Sequence, residues 1–155
     1  MDLREEALSI AKVLTEASVP YAFCGAVALA IHGYPRATKD IDILIDPADL
    51  DLVRKVLAEI EYDLEAGLIT FDLGTPKERR IFRTSKAIGN ALITIDLLLA
   101  AGVFAPIWED REVYALDSQQ LQVVSRKGLI AMKTISGRTQ DLADIEALEG
   151  GSTGE

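Results

Sequence analysis

Asp40 and Asp42 stand two residues apart in the run Arg36-Ala37-Thr38-Lys39-Asp40-Ile41-Asp42-Ile43-Leu44-Ile45. Ile41, Ile43 and Ile45 alternate with the aspartates, the pattern of a β-strand. Both carboxylates then project from one face, about 6.6 Å apart along the backbone. Neighbouring carboxylates repel and lose solvation, so a fold that keeps them supplies cations. Mg²⁺ suits such a pair, because it prefers hard oxygens and takes one or two carboxylates together with substrate phosphates. Mn²⁺ would accept the same ligands. A third acid, Asp96, is the sole charge in Ala91-Leu92-Ile93-Thr94-Ile95-Asp96-Leu97-Leu98-Leu99. It is costly there unless hydrogen-bonded, paired or metal-bound. If its strand lies beside Asp40 and Asp42, three carboxylates converge on two metal ions about 3.5–4 Å apart. Without chemistry, the pair would be a solvated strand face and Asp96 a strand-end residue.

Other residues suit a phosphate substrate. Gly25 sits where a strand turns into a helix, and backbone N–H groups at such a turn favour an anion such as a triphosphate. Arg36 and Lys39 flank the Asp-x-Asp strand and could neutralise phosphate charge, or could be plain surface charges. Lys133 belongs to Leu129-Ile130-Ala131-Met132-Lys133-Thr134-Ile135, a largely apolar helix. It either snorkels to solvent or presents its ammonium to a phosphate. Asp141 and Asp144 could orient Lys133 or Arg138, or could be solvated acids near a helix start. His32 and Trp108 read as packing residues, and Cys24 as a buried, inert thiol.

The elements that must position these residues follow from periodicity and breakers. Residues 2–17 read as an amphipathic helix, with Asp2 and Glu5 as an approximate capping box. A short strand, Tyr21–Cys24, and a helix, Ala26–His32, precede the Asp-x-Asp strand. Asp46-Pro47 opens a helix to about Ile60. Strands are expected near 62–65, 68–73, 79–85 and 91–99, with turns at Gly67, Gly74-Thr75-Pro76 and Gly89-Asn90. Residues 103–124 read as a loop and two short strands, Ser125 starts a helix to about Ile135, and the last helix covers Thr139–Leu148. The fold class is α/β (α+β), in one domain over 1–149 with a flexible tail at 150–155.

Composition narrows the function. The 155 residues carry a formal net charge of −9, which opposes broad nucleic-acid binding. Lys77, Arg79, Arg80, Arg83 and Lys86 form a local basic strip, read as a solvated strand-and-turn face rather than a binding site. With one cysteine, no intramolecular disulfide or Cys₂-type zinc site can form. No signal peptide or membrane-spanning run is visible, so a cytoplasmic protein is expected.

The segment Tyr21-Ala22-Phe23-Cys24-Gly25-Ala26 through Arg36-Ala37-Thr38-Lys39-Asp40-Ile41-Asp42 resembles the signature of minimal nucleotidyltransferases of the DNA polymerase β-like superfamily. Within it, the chain is most similar to the AbiE-toxin (AbiEii) group. The signature is a glycine pair opening a helix, then Arg-x-Thr-x-Asp-Ile-Asp on the next strand. The stretch 129–148, with Lys133, Arg138 and Asp141-Leu142-Ala143-Asp144-Ile145, is also similar to that group. The resemblance implies a nucleotidyltransferase fold, a small mixed sheet flanked by helices, and transfer of an NMP from an NTP such as ATP to a hydroxyl acceptor. The acceptor could be RNA, a tRNA end, a protein hydroxyl or a small molecule, and a cognate toxin–antitoxin partner is implied. Asp40, Asp42 and Asp96 would hold metal and carry catalysis, Gly25 and Ala26 would support the triphosphate, and Lys133 would contact it. Ala26 departs from the usual Gly or Ser, keeping the N–H while lacking a hydroxyl. The rivals are a catalytically weak binding module acting through a protein partner and an inert scaffold.

Overall fold

The computed structural model describes residues 3–35 and 37–153. The amphipathic pattern of the first segment becomes α1 (Leu3–Glu16), which buries Ala7, Ile10, Ala11 and Leu14. Pro20 then releases the chain into β1 (Ala22–Cys24), followed without a loop by α2 (Gly25–Ile31). The Asp-x-Asp segment forms β2 (Asp40–Ile45), a 3₁₀ turn covers Pro47–Asp49, and α3 spans Leu50–Ala58. Three long strands come next, β3 (Leu64–Phe71), β4 (Arg79–Ile88) and β5 (Ala91–Leu99). After α4 (Ala105–Glu109), β6 (Glu112–Leu116) and β7 (Gln119–Val123) lead into α5 (Arg126–Ser136) and α6 (Thr139–Thr153).

Among the described residues the strands make one seven-stranded mixed sheet in the order β3-β4-β5-β2-β1-β7-β6. β2 runs parallel to β5 and β1 parallel to β7, while the other neighbours are antiparallel. In β2, Ile41, Ile43, Leu44 and Ile45 are all fully buried. Its far end is therefore covered on both faces, as the near-continuous apolar run implies. The aspartates lie at the opposite end, where that cover opens.

Several boundaries differ from expectation for identifiable reasons. Asp46 Oδ1 accepts from Ala48 N at 2.9 Å with Pro47 behind it, so the expected single helix over 46–60 starts as a 3₁₀ turn. The two strands expected at 62–65 and 68–73 are one, because Gly67 (φ +94°) forms a β-bulge instead of a turn. Residues 105–109 are helical, burying Ile107 and Trp108 beside Phe104. α6 continues past Leu148 to Thr153, through Gly150 and Gly151, which intrinsic propensity opposes. Asp2 of the expected cap, and Gly154 and Glu155 of the expected tail, lie outside the described residues. Among those described, no helix is long and apolar enough to cross a membrane.

α1 is tied to the outer strands by a small polar cluster. Glu6 Oε1 accepts from the Tyr62 hydroxyl and from Lys86 Nζ, each at 2.7 Å, and Lys86 lies 4.9 Å from the Tyr62 ring centre. Burial and the hydrogen bond to Glu6 push the Tyr62 phenol far above its ordinary pKa. Glu6→Ala removes one acceptor shared by two donors, so a loss of about 2 kcal/mol is expected. That corresponds to a melting temperature lower by roughly 4–8 °C, measurable by circular dichroism.

Candidate functional site: a carboxylate row beside a glycine turn

Strand register builds the centre of the site. Cross-strand partners align Gly67, Arg83, Asp96, Asp42 and Cys24 in one row over β3, β4, β5, β2 and β1. Partners in register share a face, so Asp96 stands beside Asp42 as required, with Asp40 two residues along β2. All three acids line one cavity of about 500 Å³, together with Gly25, Ala26, Thr38, Lys133 and Arg138. The apolar part of its wall includes Phe71, Ile81, Leu98 and Phe104.

Gly25 has φ +54°, a left-handed conformation that β-carbons disfavour. A β-carbon there would overlap Oδ2 of Asp42 and lie 2.9 Å from its Cγ. The glycine is needed twice, for the turn and for the space the carboxylate fills. Cys24, at the N-cap of α2, makes no side-chain capping bond, so the first amides of that helix have no side-chain acceptor from their own cap. Its buried thiol is pushed well above the ordinary value by burial and then by the Asp42 charge, which fits the inert reading.

Among the described residues, the Asp42 carboxylate accepts no hydrogen bond. Burial first, and then the charges of Asp96 and Asp40, raise its pKa to about 7, against weaker opposition from Arg138 and Lys133. Asp96 is differently placed. Arg83 grips it with Nε on Oδ1 at 2.8 Å and Nη2 on Oδ2 at 3.1 Å. Among the described residues, no three His, Cys, Asp or Glu side chains already stand grouped for a metal ion. The hard oxygens of Asp40 and Asp42, short of positive charge, fit a divalent cation by donor type.

The opposite wall comes from α5 and α6. Lys133 is 5% exposed, with Nζ 2.8 Å from Asp144 Oδ2 and 3.6 Å from Asp141 Oδ1. Asp141 also accepts from Arg138 Nε at 2.8 Å. Burial alone would raise the Asp141 pKa, but the bonds and charge of Arg138 hold it below the ordinary value. The two acids thus orient both cations, and Lys133 reaches neither open solvent nor a free position. Gly137 (φ +65°) caps α5 and turns the chain toward Asp141.

Some anticipated residues fall elsewhere. Lys39 is exposed and does not line the cavity, while its carbonyl accepts from Thr94 N at 3.0 Å. Arg36 lies outside the described residues. The basic strip divides by strand alternation: Arg79 and Arg83 face the cavity, whereas Lys86 binds Glu6 on the other face. His32 packs edge-to-face on Tyr114, with Nε2 3.1 Å from the Val124 carbonyl oxygen. Arg83 was missed as a cavity residue; it was one of five basic residues in the strip, and only its register opposite Asp96 singles it out.

This sheet, with its acids beside a strand–glycine–helix turn, is the nucleotidyltransferase fold. The antigenic nucleotidyltransferase-like protein from Paracoccidioides brasiliensis superposes with a TM-score of 0.62 at 19% identity, over 94% of this chain and 74% of that one. The lincosamide antibiotic adenylyltransferase LnuA, solved with lincomycin bound, gives 0.60 at 17% identity, over 94% and 95%. The antibiotic-resistance factor ANT(2'')-Ia gives 0.64 at 16%, over 98% and 85%. No curated protein sequence matches the chain. The family signal is more specific: residues 10–151 match the nucleotidyl transferase AbiEii toxin family of type IV toxin–antitoxin systems, and the chain belongs to that family. It is a nucleotidyltransferase.

Asp42 gives a pH signature for the metal-free protein. Its folded-state value of about 7 exceeds the ordinary 3.8, so between those values the folded state holds a proton that the unfolded chain has released. The contribution of Asp42 to stability is complete below the lower value and is lost as pH rises toward the upper one. Asp42→Asn is therefore expected to gain on wild type by on the order of 4 kcal/mol between pH 4 and pH 8. Urea unfolding of both proteins at the two pH values measures it. A difference that does not change with pH contradicts the raised pKa.

Proposed function

We propose that this chain is a metal-dependent enzyme that transfers an NMP from an NTP, with ATP one candidate, to a hydroxyl acceptor in the cytoplasm. The observation that carries the reading is the half-buried Asp42 carboxylate, set against Gly25 beside Asp40 and Asp96 without a counter-cation of its own. A structural acid in that position would be replaced at a gain in stability, so its use is chemical.

Asp40 and Asp42 would hold Mg²⁺, or Mn²⁺, with Asp96 completing the set once Arg83 lets it go. Metal bound there would supply positive charge to the α-phosphate and the entering hydroxyl. The amides at Gly25 and Ala26 would support the triphosphate, with Lys133 reaching it from α5 while Asp144 fixes its direction. Lys39, off the cavity, has no part in this assignment, and Arg36 keeps only the phosphate-neutralising role that its place before the strand suggests. Asp96 takes the proton from the acceptor hydroxyl, whose oxygen forms the new bond to Pα. The bond from Pα to the bridging oxygen breaks, and pyrophosphate leaves with that electron pair. Positioning and charge neutralisation are the main contributions expected of the protein.

Family membership supports a role as the toxin of a pair, with an antitoxin protein as partner. The acceptor, RNA or protein, would be recognised locally at the cavity mouth, since the net charge of −9 gives no general attraction to nucleic acid.

Incubation with Mg²⁺, each labelled NTP and a mixture of cellular RNA and protein tests the reading. Asp42→Asn is expected to lower transfer by about 10²-fold or more, and chelation of the metal should do the same. Equal labelling by wild type and variant would favour the binding-module alternative. Lys133→Met keeps most of the stem and removes the ammonium; nucleotide affinity is expected to fall about tenfold. Because Asp141 and Asp144 lose a buried partner, this variant should also unfold about 3 kcal/mol more easily. Calorimetric titration at a temperature where it remains folded separates the two effects, and unchanged affinity would remove Lys133 from the site.

A further inference from the structure

Arg83 makes a two-pronged contact with the third acid of the site from a half-exposed position. Its side chain is 44% exposed, whereas that of Asp96 is 14% exposed. The guanidinium therefore reaches inward to the acid while part of its donor edge faces outward. Nε and Nη2 are taken by Asp96, and Nη1 has no acceptor among the described residues. On the outer side its strand partner is Gly67, at the β3 bulge, and a β-carbon there would meet nothing within 4 Å. Arg79, two positions along the same strand face, is held by Asp72 at 2.6 Å. Arg83 is thus the cation at this edge of the cavity with both an open donor and open space beside it.

A carboxylate whose two oxygens both accept from one guanidinium has fewer lone pairs to offer a metal ion or a hydroxyl. Asp96 cannot take up its role until that grip relaxes. A guanidinium fork fits a phosphate as well as it fits a carboxylate. We propose that Arg83 is a positioning and specificity-determining residue: it holds Asp96 in the resting site, then moves its fork onto a phosphate that the acceptor carries next to its reacting hydroxyl. An acceptor of that kind releases Asp96 as it binds, while an uncharged hydroxyl compound leaves Asp96 clamped. The inference rests on the transfer reading above and adds the chemical class of the acceptor. No bond is made or broken in the exchange; the same donors pass from carboxylate oxygens to phosphate oxygens.

The test uses the whole chain and two matched probe pairs, cytidylyl-adenosine against adenosine and ribose 5-phosphate against ribose. Calorimetry gives their affinities in wild type, Arg83→Gln, Asp96→Asn and the double variant, and electron paramagnetic resonance gives the affinity for Mn²⁺. Arg83→Gln should bind Mn²⁺ more tightly and lose the preference for the phosphorylated probe. Asp96→Asn should raise phosphate-probe affinity about tenfold when Arg83 is present and little when it is absent, the mark of two groups competing for one fork. A preference confined to cytidylyl-adenosine assigns a nucleic-acid end as the source of the phosphate, and one confined to ribose 5-phosphate assigns a phosphorylated sugar. If neither probe is preferred, or if Asp96→Asn gives the same gain with and without Arg83, the proposal is overturned. Thermal melts confirm that each variant is folded. None of these measurements needs turnover. Absent transfer with the exchange intact would refute the enzymatic reading alone, and transfer without the exchange would refute the role of Arg83 alone.

Discussion

The Asp42 carboxylate fills the volume where any residue but glycine at position 25 would place its β-carbon. That contact can exist only if β1 lies beside β2, if the chain leaves β1 with a positive φ, and if α2 begins at once. The same carboxylate has Asp96 as its partner in β5, so the parallel β2–β5 register is fixed with it. Side chains alternate faces along a strand, and a slip of one residue would send the acids to the opposite side of the sheet. Repulsion among the acids is thus held in place by backbone pairing and by the buried isoleucines of β2, not by their own interactions.

The positive charges near the acids are all partly committed. Lys133 and Arg138 lower the Asp42 pKa only through space, because their donors are turned toward Asp141 and Asp144. Arg83 meets Asp96 but leaves Asp42 untouched. The cavity therefore has charged walls and an unbalanced centre. A buried ion-pair cluster such as Lys133–Asp141–Asp144–Arg138 adds little net stability compared with apolar packing, but it fixes the direction of a long side chain that would otherwise be free to turn. It also joins α5 to α6 across the corner that Gly137 makes.

The acids were legible because their signals are strong and local. Asp40 and Asp42 alternate with isoleucines, and Asp96 interrupts a run of apolar residues without any charged neighbour. Gly25 was readable from its place between strand and helix, although its contact with Asp42 was not. Arg83 was hidden among five basic residues, since which of them faces the cavity depends on where β4 begins and on its pairing with β5. Gly67 could not be told from a turn, because a bulge and a turn both use a glycine with positive φ. Five helical residues at 105–109 are too few to establish a period. The pairing of Lys133 with Asp141 and Asp144 was one of two options, and only the α5–α6 corner decides between them.

The order of the pieces along the chain has a consequence for synthesis. Gly25, Asp40, Asp42 and Asp96 all leave the ribosome before β7, which must reach β1 across about a hundred residues before the sheet is complete. Pairings this distant in sequence close late. The wall carrying Lys133 follows later still, and its anchors at Asp141 and Asp144 come after that. A nascent or prematurely terminated chain therefore carries the acids without the cavity that organises them.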